Sequence, residues 1–304
     1  MNPTVEVVPA PAFAAKATSR TFSARIADFM TLTKPGITVM VGITTAVGYY
    51  VASHGAFDWK LFLHLLGGTL LSSAGAAALN MLMERKLDAL MERTKARPLA
   101  AGRMAPAEAA IFGALLCAGG LAWLALGANL LTAVLSAATM VSYLLLYTPL
   151  KTKSSVCTLV GAIPGALPPM MGWAAARGSL ETGAWVLFLI LFFWQLPHFL
   201  ALAWMYREDY ARGGFPMLPV EEPTGASTGR QVVLQTLALL VVSILPYGFG
   251  VAGEGYLVAA LVLGAGFLGF GVAFAALRSR ERATRLFLAS ITYLPLLLGA
   301  LALL

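Results

Sequence analysis

Apolar runs of about 20 residues, divided by polar stretches, occupy the chain from residue 36 to its end. They lie near 36–53, 61–83, 108–126, 129–147, 156–176, 183–205, 231–252, 256–277 and 286–304. A helix of that length crosses the hydrocarbon core of a bilayer. The pattern predicts an all-α integral membrane protein of nine transmembrane helices. Residues 1–30 read as a flexible arm, and 31–304 as one domain. Gly67, Gly68 and Gly75, with Ala76 to Ala78, predict close packing by the second helix.

The polar connections are unequal. Those at 84–107, 148–155 and 206–230 are long and alternate with brief ones on the opposite side, the shortest around Gly127–Asn129. Charge gives this asymmetry a direction. Of the 21 Lys and Arg, 19 fall on the side of the long loops; Lys60 and Arg177 alone fall on the other. The positive-inside rule then predicts a cytoplasmic N-terminus and an external C-terminus.

Composition agrees, with 59% hydrophobic and 12% charged residues. The net charge of +7 is a topology signal, and no nucleic-acid partner is implied. The first 20 residues are Pro- and Ala-rich without a signal-peptide core, so they read as an arm. Cys117 and Cys157 stand alone, which supports neither a disulfide nor a zinc site.

The chemistry gathers at the ends of the even-numbered spans. Asn80, Glu84 and Asp88 follow at i, i+4 and i+8. On a helix each four-residue step turns about 400° and rises about 6 Å, so the three oxygens form one stripe. Such donors suit Mg²⁺, which bridges carboxylates to substrate phosphates. Arg93, Lys95 and Arg97 come next and suit phosphate oxygens. The bland alternatives are a solvated helix end and a basic loop that only anchors topology.

Two further segments join this one. Tyr147-Thr-Pro-Leu-Lys151-Thr-Lys153 brings two more cations, and the prolines and glycines of 161–169 predict a broken fifth span. Trp194-Gln-Leu-Pro197-His198-Phe199 leads into Arg207-Glu-Asp209-Tyr210-Ala-Arg212-Gly-Gly214. Asp209 lies about three turns beyond His198 and shares its face if the helix continues. An isolated His on an apolar face is more often a core residue; His64 and His54 read that way. Trp173, Trp194, Trp204 and Tyr147 read first as packing or interface residues. A pore or carrier needs polar groups at mid-bilayer, whereas these span centres are nearly uncharged.

Taken together the segments resemble the UbiA superfamily of intramembrane prenyltransferases, and most of all its branch that farnesylates protohaem IX. The phrases are N-x-x-x-E-x-x-x-D-x-x-M-x-R-T-x-x-R-P at 80–98, Y-T-P-L-K at 147–151, G-A-x-P-P-x-x-G-W ending at Trp173, and W-Q-x-P-H-F with R-E-D-Y-x-R-G-G at 194–214. The resemblance spans roughly 30–300. Thr152 stands where members carry Arg, and Cys157 where they carry Asn, so no role passes to either.

The resemblance implies Mg²⁺-assisted ionisation of farnesyl diphosphate, attack by the 2-vinyl group of haem B, and water addition to give haem O. Haem B is then a substrate. Asn80, Glu84, Asp88, Arg93 and Arg97 are the implied catalytic set, with Glu84, Asp88 and Asp209 as metal ligands. Lys95, Tyr147, Lys151, Lys153, His198, Arg207, Asp209 and Tyr210 are the implied substrate contacts, His198 toward haem. A bacterial-type inner membrane and its lipid bilayer are the implied setting, and a haem A synthase is a candidate partner. Two rivals stand beside this reading. A UbiA-type transferase acting on an aromatic quinone precursor would not need the P-H-F phrase. A non-catalytic membrane carrier or haem chaperone would not need the Asn80–Glu84–Asp88 row.

Overall fold

The computed structural model describes residues 21–53 and 55–304, so the first 20 residues and His54 lie outside it. Among the described residues the chain is helical throughout, and nine helices are long and apolar enough to cross a membrane. The arm expected over 1–30 is corrected from residue 22 on. Helix α1 runs Phe22–Leu32, with the Thr21 hydroxyl accepting the Ala24 N–H at its start. One face of α1 is anchored: Leu32 packs with Met81, Leu99 and Met104, and Arg103 Nη2 donates to Asp28 at 2.9 Å.

Helix α2 (Pro35–Ser53) begins on a proline, whose fixed φ suits the first helical position. Helix α3 (Trp59–Asp88) is capped by Asp58, whose side chain accepts the N–H groups of Lys60 and Leu61. At 30 residues it outruns a bilayer crossing, so its last turns carry polar groups beyond the apolar body. Helix α4 (Pro106–Gly127) packs along it through the small residues expected from the sequence. A Cβ on Gly75 would stand 2.6 Å from the Cys117 backbone nitrogen, so only glycine permits that approach.

Helix α5 (Leu130–Val141) passes into a π-helical stretch, Ser142–Tyr147, and then a short α6 (Thr148–Leu150). Pro149 has no N–H to give to the preceding turn, which accounts for the widened ladder just before it. The fifth span is broken as expected: α7 (Cys157–Ala166) and α8 (Pro168–Arg177) meet at Leu167, followed by the Pro168-Pro169 pair.

Helix α9 (Thr182–Met205) holds Pro197 without breaking and packs against both α7 and α8. It stops at Tyr206, which leaves helical geometry at φ −114°. A separate helix α10 (Arg207–Arg212) follows, so the continuous helix linking His198 to Asp209 is corrected. After the short α11 (Leu218–Glu221), three long helices close the bundle: α12 (Ala226–Gly248), α13 (Glu254–Leu277) and α14 (Arg280–Leu303). Helices α12 and α14 both pack on α9, placing it at the centre of the main apolar core.

Candidate active site

The last turns of α3 bury three polar side chains in one stripe: Asn80, Glu84 and Asp88, at 1%, 5% and 0% exposure. Buried charge is costly unless paired, and here each oxygen donor meets a cation from a different segment. Lys34 Nζ donates to Asn80 Oδ1 at 2.6 Å. Lys151 Nζ donates to Glu84 Oε1 at 3.1 Å. Arg97 Nη1 lies 2.8 Å from both carboxylate oxygens of Asp88. The result is a ladder of three rungs along one helix.

Neighbouring groups fix the rungs. Asn80 Nδ2 donates to Thr148 Oγ1 at 2.9 Å, and that hydroxyl donates to the Tyr143 carbonyl. The Thr94 hydroxyl donates to the Asp88 carbonyl, folding the loop after α3 back onto the helix end. Lys151 Nζ sits 4.5 Å from the Phe215 ring centroid, a cation over an aromatic face. Tyr143 and Tyr147 stack at 5.7 Å beside the ladder, because four residues return to one side of their helix.

The cations differ in their hold on a proton. Burial lowers the Lys34 ammonium to about 8, against the opposing pull of Glu84. Burial would lower Lys151 too, yet the Glu84 carboxylate, together with Tyr210 and Tyr143, raises that ammonium. Lys34 also stands in left-handed backbone, φ 46°, which costs a non-glycine residue roughly 1–2 kcal/mol.

Lys34 is the residue that sequence reasoning passed over. It was legible there only as one of the basic residues preceding the first span; Thr33-Lys34-Pro35 was the available signal. Of the two lysines after Tyr147, Lys151 enters the ladder and Lys153 is exposed. Lys95 pairs with Glu92 at the surface, away from the rungs. Arg93 is exposed, its guanidinium 5.4 Å from the Tyr206 ring centroid.

The third expected segment divides. Tyr210 is buried with Met91 and Phe215 beneath the loop after α3. Arg207 is exposed and lies over Trp204 at 4.7 Å. Asp209 accepts the N–H groups of Glu92 at 3.0 Å and Arg93 at 3.2 Å, and is paired with Arg212. Burial would raise its carboxyl, but Arg212 and those two amides hold it below the usual range. His198 faces α14: Nδ1 is 2.7 Å from Ser290 Oγ, and the ring stacks against Trp194 and Phe287.

Among the described residues, no third Asp, Glu, His or Cys joins Glu84 and Asp88 in a metal-binding group. Two carboxylates and an amide oxygen at one-turn spacing nevertheless suit a hard dication that completes its shell with phosphate oxygens and water. The donor set fits Mg²⁺ in the company of a diphosphate.

A model of the UbiA prenyltransferase family matches residues 41–294. The chain belongs to the UbiA prenyltransferase family. The nine apolar helices among its described residues make it a multi-pass membrane protein. It is 47% identical over 285 residues to a "Protoheme IX farnesyltransferase" of Solibacter usitatus, covering 91% of this chain and 98% of that one. A protein of the same name from Opitutus terrae is 43% identical over 92% of this chain and 95% of its own.

Solved structures share the fold. One, reported for digeranylgeranylglyceryl phosphate synthase, superposes with a TM-score of 0.78 at 17% identity over 92% of this chain and 98% of its own. A UbiA homologue from Archaeoglobus fulgidus, bound to GPP and Mg²⁺, gives 0.61 at 15% identity over 91% of this chain and all of its own.

Proposed function

We propose that this chain transfers the farnesyl group of farnesyl diphosphate to the 2-vinyl group of haem B, with addition of water, to give haem O. The observation that carries the reading is the ladder: three oxygen donors on α3, each held by a cation from another segment. A diphosphate is what such cations can take in exchange. The names of the Solibacter and Opitutus relatives support the acceptor, and the Archaeoglobus homologue's bound GPP and Mg²⁺ support the donor class and the metal.

When the diphosphate enters, Lys34, Lys151 and Arg97 turn from their side-chain partners to its oxygens. That leaves Asn80, Glu84 and Asp88 free to hold Mg²⁺. Bound there, Mg²⁺ supplies Lewis-acid stabilisation of charge growing on the leaving group. The C1–O bond breaks with its electron pair going to the diphosphate, where the three cations neutralise it. The vinyl π electrons form the new bond to C1, and the cation left beside the macrocycle takes water and releases a proton. Tyr143 and Tyr147 present ring faces beside the ladder and help exclude premature water.

On the acceptor side His198 is the imidazole we assign to haem iron. Ser290 engages Nδ1, which leaves Nε2 as the ligating nitrogen. The ladder faces the cytoplasm of a bacterial-type inner membrane, since the basic residues crowd on that side. To test the reading, membranes containing the protein are incubated with farnesyl diphosphate, Mg²⁺ and either haem B or 4-hydroxybenzoate. A haem carrying a hydroxyethylfarnesyl mass, with no prenylated benzoate, is the expected product. Prenylation of the benzoate alone would assign the chain to the quinone branch.

A further inference from the structure

The sequence groups Asp209 with the metal ligands, yet its geometry gives it other work. Both of its oxygens point at backbone donors on the loop after α3. Oδ1 takes the Glu92 N–H at 3.0 Å and Oδ2 the Arg93 N–H at 3.2 Å, across more than a hundred residues of chain. Arg212, one turn on, pairs with the same carboxylate. Beneath this polar contact Met91, Tyr210 and Phe215 are buried together, so the loop and the α10 corner are fastened by an apolar and a polar attachment. None of the ladder cations touches Asp209; Asn80, Glu84 and Asp88 keep those.

The loop so fastened is the one that supplies the third rung. Thr94 and Lys95 donate backbone N–H groups to the Met91 carbonyl, at 3.1 and 2.9 Å, and Arg97 N donates to the Thr94 carbonyl at 2.9 Å. Those bonds make 91–97 a stiff turn. A displacement at Glu92 and Arg93 is therefore passed on to Arg97, the last residue of the turn. Asp209 clamps that turn from outside.

We propose that Asp209 is a positioning residue, which sets Arg97 and Arg93 for the diphosphate by holding the 92–93 amides, and that it is not a metal ligand. The proposal rests on the diphosphate reading of the ladder. Its direct readings, amide exchange and metal affinity, require neither turnover nor an identified acceptor, so its failure is separable from failure of that reading.

The test uses the full chain in detergent with Asp209→Ala and Asp209→Asn. Hydrogen exchange is followed in the 89–97 segment, and Mn²⁺ affinity is measured by electron paramagnetic resonance with inorganic diphosphate present. In Asp209→Ala, exchange at residues 92 and 93 is expected to rise about tenfold, because the amides lose their acceptor. Mn²⁺ affinity is expected to stay within about twofold, since no direct ligand has gone. With farnesyl diphosphate and haem B, kcat/KM falls on the order of 100-fold in Asp209→Ala, as expected for a displaced phosphate-binding group. Asp209→Asn keeps an acceptor oxygen and restores much of that loss. A drop in Mn²⁺ affinity of about tenfold in either variant overturns the proposal, as does unchanged exchange in both. If Asp209→Ala does not fold, Asp209→Asn alone carries the exchange and metal readings.

Discussion

Arg97 reaches Asp88 through a single nitrogen, Nη1, which lies 2.8 Å from both carboxylate oxygens, and Asp88 is wholly buried. Removing one partner from such a pair leaves a buried charge uncompensated, at about 3–5 kcal/mol, whereas removing both charges costs far less. Arg97→Ala should therefore lower the thermal midpoint of the detergent-solubilised protein more than Asp88→Asn. The double variant should regain most of that stability and no activity. Equal midpoints for Arg97→Ala and the wild type would mean that the pair is not closed in the resting protein.

Lys34 gives a pH dependence. Burial brings its ammonium down to about 8, so the free enzyme loses that charge as pH rises through this value. A bound diphosphate favours the charged form, so binding above pH 8 requires proton uptake, and KM for farnesyl diphosphate should climb there. Lys34→Arg stays charged and should flatten the climb. A wild-type KM that is level from pH 7 to 9 would remove Lys34 from the diphosphate site.

His198 makes a prediction on the haem side. Its Nδ1 is taken by Ser290, which leaves Nε2 for iron. His198→Ala should change the Soret band of bound haem and weaken haem affinity while sparing farnesyl diphosphate. If titration shows the same band and the same affinity, His198 packs α9 against α14 and does nothing more.

Orientation is open to a labelling experiment. Ala101 is exposed in the loop that follows α3. A cysteine placed there should resist an impermeant thiol reagent in intact cells and react after lysis. Labelling in intact cells would put the ladder on the outer face.

The row Asn80–Glu84–Asp88 was legible because four-residue spacing on a helix is local: it needs no knowledge of the partners. The break in the fifth span was legible for the same reason, from Pro164, Pro168 and Pro169. Lys34 was not, since its partner Asn80 lies 46 residues away and a basic residue ahead of a span already has an explanation. The clamp that Asp209 makes was not legible either, because the donors it accepts from are backbone amides, which carry no side-chain signature. The stop at Tyr206 also had no proline or glycine to announce it.

In the proposed reaction α3 presents its carboxylates to a metal and a diphosphate during farnesyl transfer. Single-turnover formation of farnesylated haem at saturating Mg²⁺, in Glu84→Gln and in Asp88→Asn, tests it most directly. Each variant should lose about 100-fold or more, the order that follows when one preorganised charge-stabilising group is removed. Turnover close to that of the wild type in both variants would contradict it.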